Sequence, residues 1–246
     1  MKPEIIVVTT AYGHQQVGDL GGQRALLPIV ADAGADGVEI RRELLTEPEL
    51  QQLSHLAQAV NEHQLYAFYS VPDALFSENG QLNAQLGRYF QEAEQLGARL
   101  LKLSLGHYRP GADISELQTL QQQSAVRLVV ENDQTNCGKL EAMAAFFEQS
   151  GFTGGMTFDT GNWLWTGDDA SAAAHRLARY VSYIHVKAAV PHRDSFRAIA
   201  LDDADDSWRT LTGLLPGNLP RGIEFPLEGD DLVAVTRHYV DLLREE

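Results

Sequence analysis

The sequence predicts a (β/α)8 barrel. Short β-branched or apolar runs recur along the 246 residues, each followed by a stretch whose apolar residues have helical spacing. Strands that are always followed by helices imply a parallel sheet with right-handed crossovers. One strand-plus-helix unit takes roughly 30 residues, so eight units fit this length and favour a closed barrel over an open doubly wound sheet. A glycine-rich dinucleotide fingerprint after the first strand would argue for the open sheet, but Gly13, Gly18, Gly21 and Gly22 do not form one. With no linker, internal repeat or low-complexity tract, residues 1–246 are expected to form one barrel domain.

The first strand is Glu4–Thr10, a β-branched run, and Gln23–Ala33 follows with Leu26, Leu27, Val30 and Ala33 on one helical face. The second strand, Gly37–Arg41, places Glu39 and Arg41 on one side and Val38 and Ile40 on the other. Thr46 with Glu49 three residues on reads as a capping box for a helix running through Val60, with Pro48 in its first turn. Leu65–Val71 is the third strand, stopped by Pro72, and Leu82–Leu96 is its helix, ended by Gly97. Arg99–Leu105 and Arg127–Asp133 are strands four and five, with helices over Ile114–Ala125 and Lys139–Gln149. Met156–Asp159 and Ser182–Ala188 are strands six and seven, separated by a helix over Ala170–Tyr180. A longer, less regular section, Pro191–Leu219, holds a helix over Trp208–Leu215. Arg221–Pro226 is the eighth strand, and Asp231–Arg244 closes the chain as a helix.

Composition narrows the partners. A formal charge of −15 with no basic patch argues against nucleic acid. No apolar run approaches the ~20 residues of a membrane helix, and the apolar run Ile5–Val8 is too short for a secretory signal. The single cysteine, Cys137, cannot form an internal disulfide, which fits a reducing compartment. A cytoplasmic protein with no membrane partner is expected, and Cys137 is read as a thiol without a role.

Four predicted strands end on a metal-capable side chain: Glu131, Asp159, His185 and Glu224, spaced by 28, 26 and 39 residues. In this fold functional groups collect at the C-terminal ends of the strands, so strands five to eight would aim these four at one place. Any one of the carboxylates alone reads more readily as a helix cap or an ion-pair partner than as a ligand. Together, three carboxylates and one imidazole make a fairly hard ligand set suited to one divalent ion, Mn²⁺, Mg²⁺, Co²⁺ or Zn²⁺. Without a cation the acids would raise one another's pKa.

The segments Gly37-Val38-Glu39-Ile40, Val130-Glu131-Asn132, Phe158-Asp159-Thr160-Gly161-Asn162, Ile184-His185-Val186-Lys187 and Gly222-Ile223-Glu224 resemble the xylose-isomerase-like barrel superfamily. Its members include sugar and sugar-phosphate isomerases and epimerases and the related AP endonucleases. The resemblance implies that Glu131, Asp159, His185 and Glu224 bind one divalent ion and that Glu131 and Glu224 also move protons. It implies a metal-dependent isomerase or epimerase of a small sugar, keto-sugar or sugar acid, working through an enediolate. A lyase or dehydratase acting through the same enediolate, and a non-catalytic sugar-binding barrel, are the alternatives. Asn162 stands where the family commonly has a histidine, and Cys137 and Pro191 stand where its epimerases carry glutamate and arginine.

Other residues extend the expected site. Lys187 shares a strand face with His185 and is read as a substrate contact or a counter-charge to the acids. Asn162 is expected to donate a hydrogen bond to a substrate oxygen or a metal-bound water. Glu39 is expected to orient His185 or a substrate hydroxyl, or to pair with Arg41 or Arg99. Lys102 and Ser104 share one face of strand four, and His14 and His107 lie in active-face loops. Of these, His107 joins Lys187, Asn162 and Glu39 as the expected substrate shell. Trp163 and Trp165 suit a pocket wall or a subunit contact, and the latter would make the chain a homodimer or homotetramer.

Overall fold

In the computed structural model, which describes residues 2–246, eight parallel strands close into a barrel. In chain order the strands are β1 (Ile5–Val8), β2 (Gly37–Arg41), β3 (Tyr66–Phe76), β4 (Leu100–Gly106), β5 (Arg127–Glu131), β6 (Gly155–Asp159), β7 (Val181–Val186), an antiparallel pair β8 (Ala188–His192) and β9 (Ser195–Ile199), and β10 (Arg221–Ile223). Neighbours around the barrel follow chain order from β1 to β7, then β10, which pairs back onto β1. The chain is therefore a TIM barrel, as its alternating pattern predicts.

Side-chain alternation builds the site. Ile6, Phe68, Leu100, Val129 and Tyr183 form a buried apolar plug, separate from the larger core between strands and helices. Two residues further along four of these strands stand Ser70, Lys102, Glu131 and His185, on the same side as the plug residues because strand side chains repeat every two positions. An apolar floor under a polar layer thus follows from strand periodicity. Register aligns the layer: Asp159 lies opposite His185 across β6 and β7, and His185 opposite Gly222 across β7 and β10. Gly222 is required there, since a Cβ would lie 2.3 Å from Tyr183 Oη and 2.9 Å from His185 Cδ2.

Several boundaries depart from expectation. Pro72 does not end β3, which runs on to Phe76. The proline falls in a register shift between Ser70 and Ala74, where the β4 ladder is interrupted and no proline N–H is needed. Leu82 bridges to Phe76 instead of starting a helix, and the helix begins at Leu86. Gln23–Leu26 is a 3₁₀ turn leading into the helix Leu27–Asp32, and the helix after Thr46 is split into Glu47–Leu50 and Leu53–Glu62. The expected capping contact is present: Thr46 N and Oγ1 donate to Glu49 Oε2 at 2.7 and 2.8 Å. The section after Lys187 holds the β8–β9 hairpin, whose turn places Arg193 at φ 53°. The final helix, Leu232–Glu245, starts from Asp231, whose side chain accepts from Ala234 N. Among the described residues no helix is long and apolar enough to cross a membrane.

Candidate metal centre and active site

Glu131 at the end of β5, Asp159 at the end of β6, His185 on β7 and Glu224 just past β10 converge at the barrel mouth. One donor atom from each lies within 4.8 Å of all the others. His185 Nδ1 is 2.8 Å from Glu131 Oε1, 2.9 Å from Glu224 Oε2 and 3.8 Å from Asp159 Oδ2.

Each of these side chains is aimed by neighbours. Asp159 Oδ1 accepts from the N–H groups of Gly161 and Asn162 at 2.9 and 2.8 Å, so only Oδ2 is left facing the cluster. The Asn132 side chain brackets the Asp159 backbone, accepting from its N at 2.9 Å and donating to its carbonyl at 3.1 Å. On the far side of the imidazole ring, His185 Nε2 donates to Glu39 Oε2 at 2.7 Å, and Tyr183 Oη donates to the same oxygen at 2.8 Å. Glu39 is fully buried. Because it is an acceptor there, the Nε2 proton is fixed and Nδ1 is the atom turned toward the acids.

Three cations are interleaved with the acids. Lys102 contacts Glu131 Oε2 directly and Glu39 Oε1 at 3.4 Å. Arg41 Nη1 reaches Glu224 Oε1 at 3.3 Å. Lys187 Nζ lies 2.9 Å from both Asp159 Oδ2 and Glu224 Oε2 and donates to Asn162 Oδ1 at 3.0 Å.

Electrostatics divide the acids. Burial would raise Glu39, but Lys102, His185 and Arg41 outweigh it and hold its carboxyl well below the usual range. Burial is likewise outweighed at Glu131 by Lys102 and His185, and at Glu224 by His185 and Lys187, so both are lowered. Asp159 goes the other way: burial, opposed by Lys187 but reinforced by the charges of Glu224 and Glu131, pushes it up to about 7.

The residues fit a divalent ion. Glu131 Oε1 and Asp159 Oδ2 are buried and accept no well-aligned hydrogen bond; each has only a nitrogen at close range, His185 Nδ1 at 2.8 Å and Lys187 Nζ at 2.9 Å. Donors bound to one ion at about 2.0–2.2 Å lie roughly 3–4 Å apart, close to the separations here. Mixed carboxylate and imidazole donors suit a hard or borderline cation.

The expected substrate shell is distributed differently. Lys187 and Glu39 both touch the cluster. Asn162 lies beside it, but its polar atoms are committed: Nδ2 donates to Asn132 O at 2.8 Å, and Oδ1 accepts from Lys187 and Gln134. His107 is exposed just beyond β4 and is not among the side chains that converge. Arg99 stacks over Tyr66 at 3.5 Å and pairs with Glu4, away from Glu39. Cys137 is a free, half-buried thiol. Sequence reasoning missed Tyr183 and the Lys102–Glu131 pair. Tyr183 had a signal, lying two residues before His185 on the same strand face.

A parallel eight-stranded barrel with its polar cluster at the C-terminal strand ends defines a TIM barrel with an active-face site. The chain belongs to the xylose isomerase-like TIM barrel family, whose pattern matches residues 27–216. Solved structures agree on the fold. A xylose isomerase domain containing protein from Salmonella typhimurium LT2 is 13% identical with a TM-score of 0.70, over 98% of this chain and 96% of its own. D-allulose 3-epimerase from Methylomonas sp., solved with D-allulose, is 13% identical with a TM-score of 0.69, over 99% and 97%. The 3-keto-D-glucoside 4-epimerase of E. coli is 11% identical with a TM-score of 0.64, over all of both chains. No curated protein sequence matches this chain.

Proposed function

We propose that this chain is a divalent-metal-dependent isomerase or epimerase of a small sugar, keto-sugar or sugar acid. One observation carries the reading: four donor atoms from four strand ends lie within 4.8 Å of one another, two of them buried oxygens that accept no well-aligned hydrogen bond. Two structural neighbours, the D-allulose 3-epimerase and the 3-keto-D-glucoside 4-epimerase, support the substrate class.

In this reading Glu131, Asp159, His185 and Glu224 hold the ion, with Mn²⁺, Mg²⁺, Co²⁺ and Zn²⁺ all compatible with the donors. A bound divalent ion would polarise a substrate carbonyl and its adjacent hydroxyl, acidifying the C–H between them. Glu131 and Glu224 are the proton-transfer pair. They enter from β5 and from beyond β10, with β6 and β7 between them; with one carboxylate removing a proton and the other returning it, return to the opposite face of the same carbon inverts a centre, and return to the neighbouring carbon shifts the carbonyl. Glu39 fixes the His185 tautomer, and Lys187 neutralises charge developing on substrate oxygen. Asn162 steers Lys187 instead of touching substrate.

Deuterium incorporation from D₂O into a panel of ketoses and keto-acids, with Mn²⁺ or Co²⁺ supplied, tests this reading. Exchange is expected with wild type and should fall by about 10²–10⁴-fold in Glu131→Gln and Glu224→Gln. No stoichiometric divalent ion in metal analysis, together with no rise in melting temperature on adding Mn²⁺ or Co²⁺, would remove its basis.

A further inference from the structure

The two lysines of the site stand differently toward the donor atoms. Lys102 takes Glu131 Oε2, whereas the donor oxygen of that residue is Oε1, so Lys102 neutralises Glu131 from behind. Lys187 takes the donor oxygens themselves. Its Nζ lies 2.9 Å from Asp159 Oδ2 and 2.9 Å from Glu224 Oε2. Neither acid has a second oxygen to offer: Asp159 Oδ1 is held by two backbone N–H groups, and Glu224 Oε1 faces Arg41.

We infer that Lys187 is a resident counter-cation that competes with the divalent ion for Asp159 and Glu224, and that ion entry displaces its ammonium from them. The inference rests on the proposed metal site. A monovalent ammonium and a divalent ion repel, and at contact distance in a buried site that repulsion is large. The lysine is held for release: its stem passes Gly161, where an added Cβ would come within 2.8 Å of Lys187 Cγ, and Asn162 Oδ1 is its one neutral anchor. It also borders a cavity of about 460 Å³ shared with Thr160 and Trp163, which gives the displaced side chain room to move. Metal loading thus converts Lys187 from a brace for the ligands into a free cation at the mouth.

Co²⁺ titration followed by equilibrium dialysis, on wild type, Lys187→Met and Lys187→Gln, tests the competition. Both variants are expected to bind Co²⁺ at least tenfold more tightly than wild type, and to melt lower than wild type when metal-free. Equal or weaker Co²⁺ binding in a folded variant overturns the inference. Amine acetylation of wild type, read by mass spectrometry, needs no variant: saturating Co²⁺ should raise labelling of Lys187 severalfold and leave Lys102 unchanged. Labelling of Lys187 that does not rise overturns it too. Wild type that binds no Co²⁺ refutes the metal site itself and takes this inference with it. Binding without competition refutes the inference alone.

Discussion

His185 Nε2 donates to Glu39 Oε2 at 2.7 Å, from a ring and to an acid that are both fully buried. This contact decides which imidazole nitrogen faces Glu131, Asp159 and Glu224. Tyr183 donates to the same oxygen, and Lys102 lies 3.4 Å from the other. Partners that fix a ligating histidine generally matter to metal affinity by about 10–100-fold. Glu39→Gln is therefore expected to weaken Co²⁺ binding by roughly that factor, although it removes no ligand. Equilibrium dialysis against Co²⁺ measures it, and unchanged affinity would show that Glu39 does not orient the ring.

Gly222 makes a separate prediction about packing. Its missing side chain leaves room for Tyr183 Oη and the His185 ring on the neighbouring strand. Gly222→Ala must push both, and overpacking of this kind costs typically about 1–3 kcal/mol. Lower stability in urea titration is expected, with weaker Co²⁺ binding because the ring is displaced. A variant with wild-type stability and affinity would mean that the barrel absorbs a methyl group there without moving His185.

Away from the mouth, Glu92 ties three elements together. It accepts from Arg42 at 2.7 and 3.0 Å, from Tyr69 Oη at 2.8 Å and from Arg88 at 3.0 Å. Burial would raise its carboxyl, but these hydrogen bonds and the Arg42 charge outweigh it and lower it. A carboxyl lowered on folding stabilises the protein above its unfolded range and loses that contribution as pH falls through the folded value. Glu92→Gln should cost about 2–3 kcal/mol at neutral pH. The gap between variant and wild type should narrow on acidification below the ordinary glutamate range. Urea titrations of both proteins across pH check it, and a gap that widens in acid would contradict the assignment.

The fold was readable because each strand carries its own local pattern of apolar residues and a helix follows it. The four donors were readable for the same reason: each sits at the end of a strand that the pattern locates. What escaped depends on register and distance. That Lys102 reaches Glu131 follows from how β4 lies against β5, where Ser104 pairs with Glu131. Arg41 meets Glu224 across the closure of the barrel, between residues 183 apart in the chain. The hairpin was hidden because Pro191 and Asp194 are turn formers, and its strands are mostly half-buried or exposed and lack a clean apolar alternation. Asn162 lies beside the cluster, but only three-dimensional contacts show that its amide is already committed.

The β8–β9 hairpin explains the wider gap between His185 and Glu224. It is inserted after β7 has delivered its histidine and before β10 begins, so it lies outside the barrel's own hydrogen-bond ladder. Its Ala198 nonetheless borders a cavity beside Glu224. Residues near its tip can therefore be exchanged, lengthened or trimmed while the chemistry underneath keeps its geometry. Laboratory evolution seeking a different substrate has its natural starting point in that ribbon.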